Sequence, residues 1–216
     1  MKNKSIIVLA AAVLFPINVF AMSIGLISDE HACSKKPYKA AMGTFLGKLD
    51  EIRNQNPDII ISAGDEAYKG EKVFYDQMKG LGSIIWVKGD DDSKKFSILA
   101  PLDYVKDFDE VRVIVLDSAK KSGSGAGYLS KSQIAFLKDA ENTDKDVIVA
   151  MHHPVFNRYG TVFNRKVFGA FLDALTPNVK MVVGGHWHRY IESEQMGIKF
   201  IVIPAMYHGE YLMENL

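Results

Sequence analysis

The chain has 216 residues, 48% of them hydrophobic and 24% charged, with 26 Lys and Arg balanced by 26 Asp and Glu. A chain of that size and balance buries a substantial core, which excludes a disordered tail, a collagen-like fibre and a disulfide-built miniprotein. A net charge of zero also argues against strong nucleic-acid binding or a polybasic membrane footprint, because both need clustered positive charge.

At the N-terminus, Lys2 and Lys4 precede an apolar run that ends in Val19-Phe20-Ala21. A basic start, a short greasy stretch and small closing residues read as a secretory signal peptide over residues 1–21, and Pro16 argues against a membrane-spanning helix. The expected working chain is therefore residues 22–216, a single domain, periplasmic or secreted, with no stable membrane anchor. It carries a net charge of −2, because Lys2 and Lys4 leave with the signal and no acid does. Cys33 is the one cysteine. It has no intrachain disulfide partner and is expected to be reduced and partly buried.

Beyond Ala21, short apolar runs alternate with amphipathic stretches. A strand is expected over Ser23–Ser28, then a helix over Tyr38–Asn54 with Met42, Phe45, Leu46, Leu49 and Ile52 on one face. Strand Asp58–Ala63, helix Glu71–Lys79 and strand Ser83–Lys88 come next, then strand Val111–Asp117 and the flexible loop Lys120–Gly127. Helix Ser130–Ala140, strand Val147–His152 and helix Arg165–Leu175 precede strands Val179–Gly185, Tyr190–Gln195 and Ile198–Ile203. Runs of Ile and Val this short, bounded by Gly, Pro, Asp or Asn, look like strands buried on both faces. The repeated strand–helix–strand order implies parallel pairing in a layered α/β domain. The last three strands have no helix between them, which predicts a more antiparallel second sheet.

In such a domain ligands sit beyond the carboxyl ends of the strands, so the residues just past each run are the informative ones. The first run leads to Asp29-Glu30-His31, the second to Gly64-Asp65, and the third to Gly89-Asp90-Asp91-Asp92. Strand Val147–His152 leads to His152-His153-Pro154, and strand Val179–Gly185 to His186-Trp187-His188. Five of the six histidines stand at these places. Residues i and i+2 of an extended segment point to the same side, so Asp29 with His31, and His186 with His188, are expected to present paired ligands. Imidazole mixed with carboxylate suits zinc, iron or manganese rather than calcium. This many donors favours two ions, a design that activates water for attack at phosphorus. The chain contains no H-E-x-x-H sequence of the kind a zinc peptidase uses.

The ordered blocks D-E-H, G-D-E-A-Y, G-D-D-D, M-H-H-P and G-H-W-H resemble the signature of the calcineurin-like binuclear metallophosphoesterases, which include purple acid phosphatases and many phosphodiesterases. The resemblance implies a four-layer αββα sandwich of two mixed β-sheets flanked by helices. It implies two divalent or trivalent ions (Mn, Fe or Zn), with Asp29, His31 and His188 on one and Asp90, His152 and His186 on the other. Asp65 would bridge both. The implied activity is hydrolysis of a phosphomonoester or phosphodiester by attack of a metal-bridging hydroxide, on a small-molecule or nucleotide-like substrate.

One block departs from the pattern. The family has G-N-H-[DE] where this chain has Gly89-Asp90-Asp91-Asp92. Asp91 stands in place of the histidine that the family is thought to use in stabilising the transition state or protonating the leaving group. A carboxyl group can donate such a proton when crowded acids raise its pKa, whereas nearby cations push the other way. Asp91 and His153 are thus the candidate catalytic residues, His153 by supporting the ligands or meeting substrate. The alternative is a weakly active or inactive metal-binding member acting as a phosphate- or partner-binding module. Tyr68 matches G-D-x-x-Y of the purple acid phosphatases, but His31 already fills that coordination position. Trp187 and His208 read as rim or structural residues, and Arg158, Tyr159 and Arg189 as a solvated face.

Overall fold

In the computed structural model, residues 21–32, 39–66, 71–92, 101–119, 126–157, 160–161, 163 and 165–216 are described. Residues 1–20 of the expected signal peptide, Cys33, Tyr68, Arg158, Tyr159 and most of the Lys120–Gly127 loop lie outside them.

The elements run β1 (Ser23–Ile27), α1 (Lys39–Gln55), β2 (Ile59–Ser62), α2 (Glu71–Met78), β3 (Ser83–Trp86), β4 (Tyr104–Asp107) and β5 (Val111–Val115). They continue with α3 (Lys131–Ala140), β6 (Asp146–Ala150), β7 (Phe156–Asn157), β8 (Gly160–Thr161), α4 (Arg165–Leu172) and β9 (Val179–Gly184). Last come β10 (Ile191–Gln195), β11 (Ile198–Val202), a 3-10 turn at Met206–His208, and β12 (Leu212–Asn215). One sheet has the order β12-β1-β2-β3, the other β10-β11-β9-β6-β5-β4, and β7 pairs with β8 alone.

Alternation along each strand builds the layers. Ile24, Leu26, Ile59 and Ile61 of the four-stranded sheet meet Val113, Val115, Ile148 and Met181 of the six-stranded sheet in one buried cluster. The residues between them point the other way. Ile27 and Ile60 pack on Phe45, Leu49 and Ile52 of α1 and on Phe74 and Met78 of α2. Ile114, Val147, Val149 and Val182 pack with Leu137 of α3 and Phe171 of α4. Strands greasy on both faces therefore have a layer on each side, and the result is the expected αββα sandwich.

Helix α3 begins at a capping box. Ser130 Oγ accepts the Gln133 amide at 3.2 Å, while Gln133 Oε1 accepts the Ser130 amide at 2.9 Å. At its other end Glu141 is only 2% exposed and accepts the Thr176 amide at 2.8 Å, which ties the helix to the turn before β9.

Three sequence expectations are corrected. The run Tyr190–Gln195 is not buried on both faces. The strand within it, β10, is an edge strand with Glu192, Glu194 and Gln195 exposed, as its polar alternation I-E-S-E-Q allows. The six-stranded sheet is antiparallel only at its two ends, β10–β11 and β4–β5. β11 runs parallel to β9 without a crossover helix, because β10 carries the chain back along the outer edge first. Helix α4 stops at Leu172. Ala174 and Leu175 bond the carbonyls three residues back, at 3.0 and 3.1 Å, which tightens the last turn.

Candidate metal centre

The loops that leave β1, β2, β3, β6 and β9 meet at one edge of the sandwich, held by backbone hydrogen bonds. The amides of Asp29 and His31 donate to Gly64 and Asp65 carbonyls, each at 2.9 Å, and Gly185 donates to the His152 carbonyl at 2.8 Å. Gly185 is a matter of space as well as turn. A Cβ there would stand 1.7 Å from Ser28 Oγ and 2.7 Å from Asp29 Oδ2, so only glycine lets the two loops approach this closely.

The paired candidate ligands do come together, but not by the route that an extended segment provides. Asp29, His31, His186 and His188 have φ of 53°, 42°, 68° and 54°, and Asp65 has 57°. Each pair is two left-handed residues flanking one other, which turns both side chains inward from a loop beyond the strand. Left-handed backbone at non-glycine residues costs on the order of 1–3 kcal/mol each and gathers where function holds it in place.

Asp29 and Asp65 each have one oxygen anchored by the protein and the other turned to the neighbouring imidazoles. Asp29 Oδ2 accepts from Ser28 Oγ at 2.7 Å and from the His186 amide at 2.8 Å. Its Oδ1 faces His188 Nε2 at 3.1 Å. Asp65 Oδ1 accepts the Asp91 amide at 2.8 Å, leaving Oδ2 3.5 Å from His152 Nε2 and 3.9 Å from His31 Nε2. Asp90 Oδ1 lies 3.0 Å from His152 Nε2 and 3.2 Å from His186 Nδ1. All seven residues expected as metal ligands are thus at one place, with Asp65 between the two sets.

The imidazole of His152 limits what can lie between it and the carboxylates. Its Nδ1 lies 2.8 Å from the Ala63 carbonyl oxygen, which can only accept, so Nδ1 carries the hydrogen and a neutral ring turns the Nε2 lone pair toward Asp90 and Asp65. Lone pairs facing carboxylate oxygens repel unless a cation or a proton lies between them. Without a cation, His152 takes the proton. Burial opposes this, but the carboxylates of Asp65 and Asp90 push the imidazole well above its usual pKa. Hydrogen bonds from His152 and His186 hold Asp90 well below the ordinary carboxylate range. Asp65 is also lowered, its burial outweighed by His152. Groupings of possible ligand atoms within 4.8 Å of one another include Asp29, His31 and His188, then Asp29, Asp65 and His152, and then Asp90, His153 and His186. The mixed nitrogen and oxygen donors fit zinc, iron or manganese, so the residues present fit a pair of such ions.

His153 and Asp91 occupy different positions at this edge. The His153 amide donates to Ser118 Oγ at 2.9 Å, and the same hydroxyl lies 3.1 Å from its Nδ1. Burial and the neighbouring His152 and His186 rings lower its pKa to about 3, so the ring is neutral. Asp91 is exposed, and its carboxylate groups with His31 and Asp65. Partial burial, then Asp65 and Asp90, raise its pKa, the direction a proton donor requires.

Sequence reasoning missed the support behind the ligands. Asp92 accepts the amides of Gly89 at 2.7 Å, Glu66 at 2.9 Å and Asp65 at 3.1 Å, fastening the third block to the second. Glu30 and Glu66 have no exposed surface, and Ser62 Oγ lies 3.0 Å from one and 3.4 Å from the other. A hydroxyl has one proton to give, so both contacts are hydrogen bonds only when one of the carboxyls is protonated. Burial raises both glutamates well above the usual range. The signal was available in the sequence, since the first two blocks each carry one acid more than their candidate ligands, and the third carries two. At the rim, Trp187 is half-buried, Arg189 and His208 are exposed, and the His208 ring lies 6.5 Å from that of His188. His208 joins no ligand grouping among the described residues.

A two-sheet sandwich with histidines and aspartates converging at the strand ends defines a layered α/β fold with a candidate dimetal centre at one edge. The calcineurin-like phosphoesterase model matches residues 22–190, and the chain belongs to that family. It is 31% identical over 187 residues to a cAMP/cGMP dual specificity phosphodiesterase of Mycobacterium tuberculosis, covering 74% of this chain and 58% of that one. It is 26% identical over 183 residues to a 3',5'-cyclic adenosine monophosphate phosphodiesterase of Haemophilus influenzae, covering 75% of this chain and 66% of that one. The chain thus spans about three fifths of the length of these curated relatives. Among solved structures, a dimetal phosphatase from Danio rerio superposes with a TM-score of 0.72 at 13% identity, over 91% of this chain and 93% of that one, a likeness of fold.

Proposed function

We propose that the protein is a metal-dependent phosphodiesterase that takes a small, nucleotide-like phosphodiester, with a cyclic nucleotide as the leading candidate. The observation that carries this reading is the anchoring of one oxygen on each of Asp29 and Asp65, which leaves the other oxygen and four imidazoles aimed at one cavity. The names of the Mycobacterium and Haemophilus relatives support the substrate class.

Asp29, His31, Asp65 and His188 would hold one ion, and Asp65, Asp90, His152 and His186 the other. Bound ions of this kind supply Lewis acidity and an activated water between them. The chain's own residues do the rest. Asp65 sets the spacing of the two sets, the Ala63 carbonyl fixes the His152 tautomer, and Asp91 stands at the exposed face, where a leaving oxygen needs its proton. Incubating purified protein with Mn2+ and either cyclic AMP or bis(para-nitrophenyl) phosphate is expected to release product, and Asp65→Asn to abolish release. Turnover that survives Asp65→Asn removes this site from the account.

A second reading has its own support, in Asp91 at the place of the family's histidine. In that reading the protein holds metal and phosphate with little turnover. Mn2+ binding without hydrolysis of any phosphoester tested would favour it. We further propose export by the signal peptide of residues 1–21, supported by Lys2, Lys4, the apolar run and Ala21; N-terminal sequencing of the mature protein is expected to begin at Met22.

A further inference from the structure

Tyr207 lies past the stretch that the family model matches, residues 22–190, and outside every sequence block of the metal centre. It nevertheless touches two imidazoles of the first set. Its ring meets His31 edge-on at a centroid distance of 5.5 Å and His188 at 5.2 Å. Its hydroxyl oxygen lies 3.0 Å from His188 Nδ1. The turn that carries it is fastened to the Asp29 loop, because the Met206 amide donates to the Ser28 carbonyl at 2.8 Å and the Tyr207 amide to the Asp29 carbonyl at 3.3 Å.

Resting on the metal-dependent reading above, we propose that Tyr207 is the positioning residue of the first metal site, accepting the Nδ1 hydrogen of His188 so that its Nε2 lone pair is held toward the cation. A neutral imidazole carries one N–H. With that hydrogen on Nε2, the ring would offer a donor to Asp29 and close the position to a metal. A cation at Nε2 requires the hydrogen on Nδ1, and the phenol oxygen of Tyr207 is the acceptor beside it. His152 receives the same service from the Ala63 carbonyl. The difference is rigidity, since the His152 side chain is 0% exposed and that of His188 is 35% exposed. The more exposed ring depends more on what its outer nitrogen bonds.

The test is calorimetric titration of the full chain with Mn2+, wild type beside Tyr207→Phe, which removes the hydroxyl and keeps the ring. Outer-shell partners of metal-bound histidine are worth roughly 10- to 100-fold in affinity, so one of the two binding steps is expected to weaken by that factor and the other to stay. Turnover by the variant is expected to recover at excess Mn2+. In zinc-loaded wild type with 15N-labelled histidine, the Nδ1 hydrogen of His188 is expected to exchange slowly with water, and to exchange fast in Tyr207→Phe. Two wild-type-like binding steps in the variant overturn the proposal, as does fast exchange of that hydrogen in the wild type, which needs no variant. Wild-type protein that binds no Mn2+ at all overturns the metal-dependent reading as well.

Discussion

Asp91 occupies the position where the resembling family carries a histidine, and its environment works against itself. Partial burial, then Asp65 and Asp90, raise its pKa, which favours a protonated acid, while bound cations would lower it again. An imidazole has its working pKa near neutrality without help from neighbours. Asp91→His is therefore expected to raise phosphodiesterase turnover with metal content unchanged, measured by product release beside metal analysis. Equal or lower rates at full metal loading count against Asp91 as the weak point. Glu141, far from this edge, titrates without metal ligands beside it. It is buried, its Oε1 has no hydrogen-bond partner among the described residues, and burial raises its pKa. A native pKa above the unfolded one means that the folded state holds the proton longer. The group thus favours folding most below its unfolded pKa, and that contribution is lost as pH rises through the native value. Gln does not titrate, and its carbonyl can still accept the Thr176 amide. Denaturant unfolding of Glu141→Gln against wild type is expected to show a stability difference that moves in the variant's favour from acid to neutral pH. A difference that is flat with pH would remove Glu141 from the account.

At the scale of elements, the capping box of α3 is the local device most directly written in the sequence, as Ser130-x-x-Gln133. Ser130→Ala is expected to cost about 1 kcal/mol of stability and to leave turnover unchanged, because α3 packs on the outer face of the six-stranded sheet and contributes no residue to the ligand groupings among the described residues. Loss of activity at unchanged stability would contradict that separation. The same contrast explains how much of the molecule is legible in its residues. Strands such as Ile59–Ser62 and helices such as α1 are visible because burial on two faces, or on one stripe, leaves a period in the residues. β10 is misread and β12 missed because an edge strand is defined by its partner. Leu212–Asn215 has no β-branched residue, and its register against β1 comes from the fold. The candidate ligands themselves are legible because Asp and His at strand ends are chemically conspicuous. Tyr207 and Ser118 are not, since a hydroxyl that orients an imidazole from another loop leaves no spacing in the chain. The left-handed pairs are hidden for a related reason. D-x-H specifies two side chains one residue apart, but not whether an extended strand or a turn brings them together.

At the scale of the whole molecule, charge and stability meet at the ligand edge. Asp29, Glu30, Asp65, Glu66, Asp90, Asp91 and Asp92 crowd one end of a chain whose overall charge is zero. Like charges gathered in partly buried space oppose folding unless protons or cations offset them. Burial raises the pKa of Glu30 and Glu66, which favours their protonated forms, while Asp90 and Asp65 are shifted down toward the ionised form and are the groups a cation would neutralise. An ion that binds only the folded chain adds about 2.7 kcal/mol per site when present at about a hundred times its dissociation constant. For a domain of this size that corresponds to a rise in Tm of roughly 5–10 °C per site. Stripping metal with a chelator is therefore expected to lower Tm in a calorimetric scan, and Mn2+ to restore it in two concentration-dependent steps. In Asp65→Asn, where the carboxylate between the two sets is gone, most of the Mn2+-dependent rise should disappear. The discriminating outcome is the response to calcium. Excess Ca2+ restoring Tm as fully as Mn2+ would mean that the carboxylates alone bind the ion, and the histidines would lose the role that the geometry gives them. A preference for Mn2+ or Zn2+ that falls in His186→Ala, with the Ca2+ response unchanged, would tie the selectivity to imidazole.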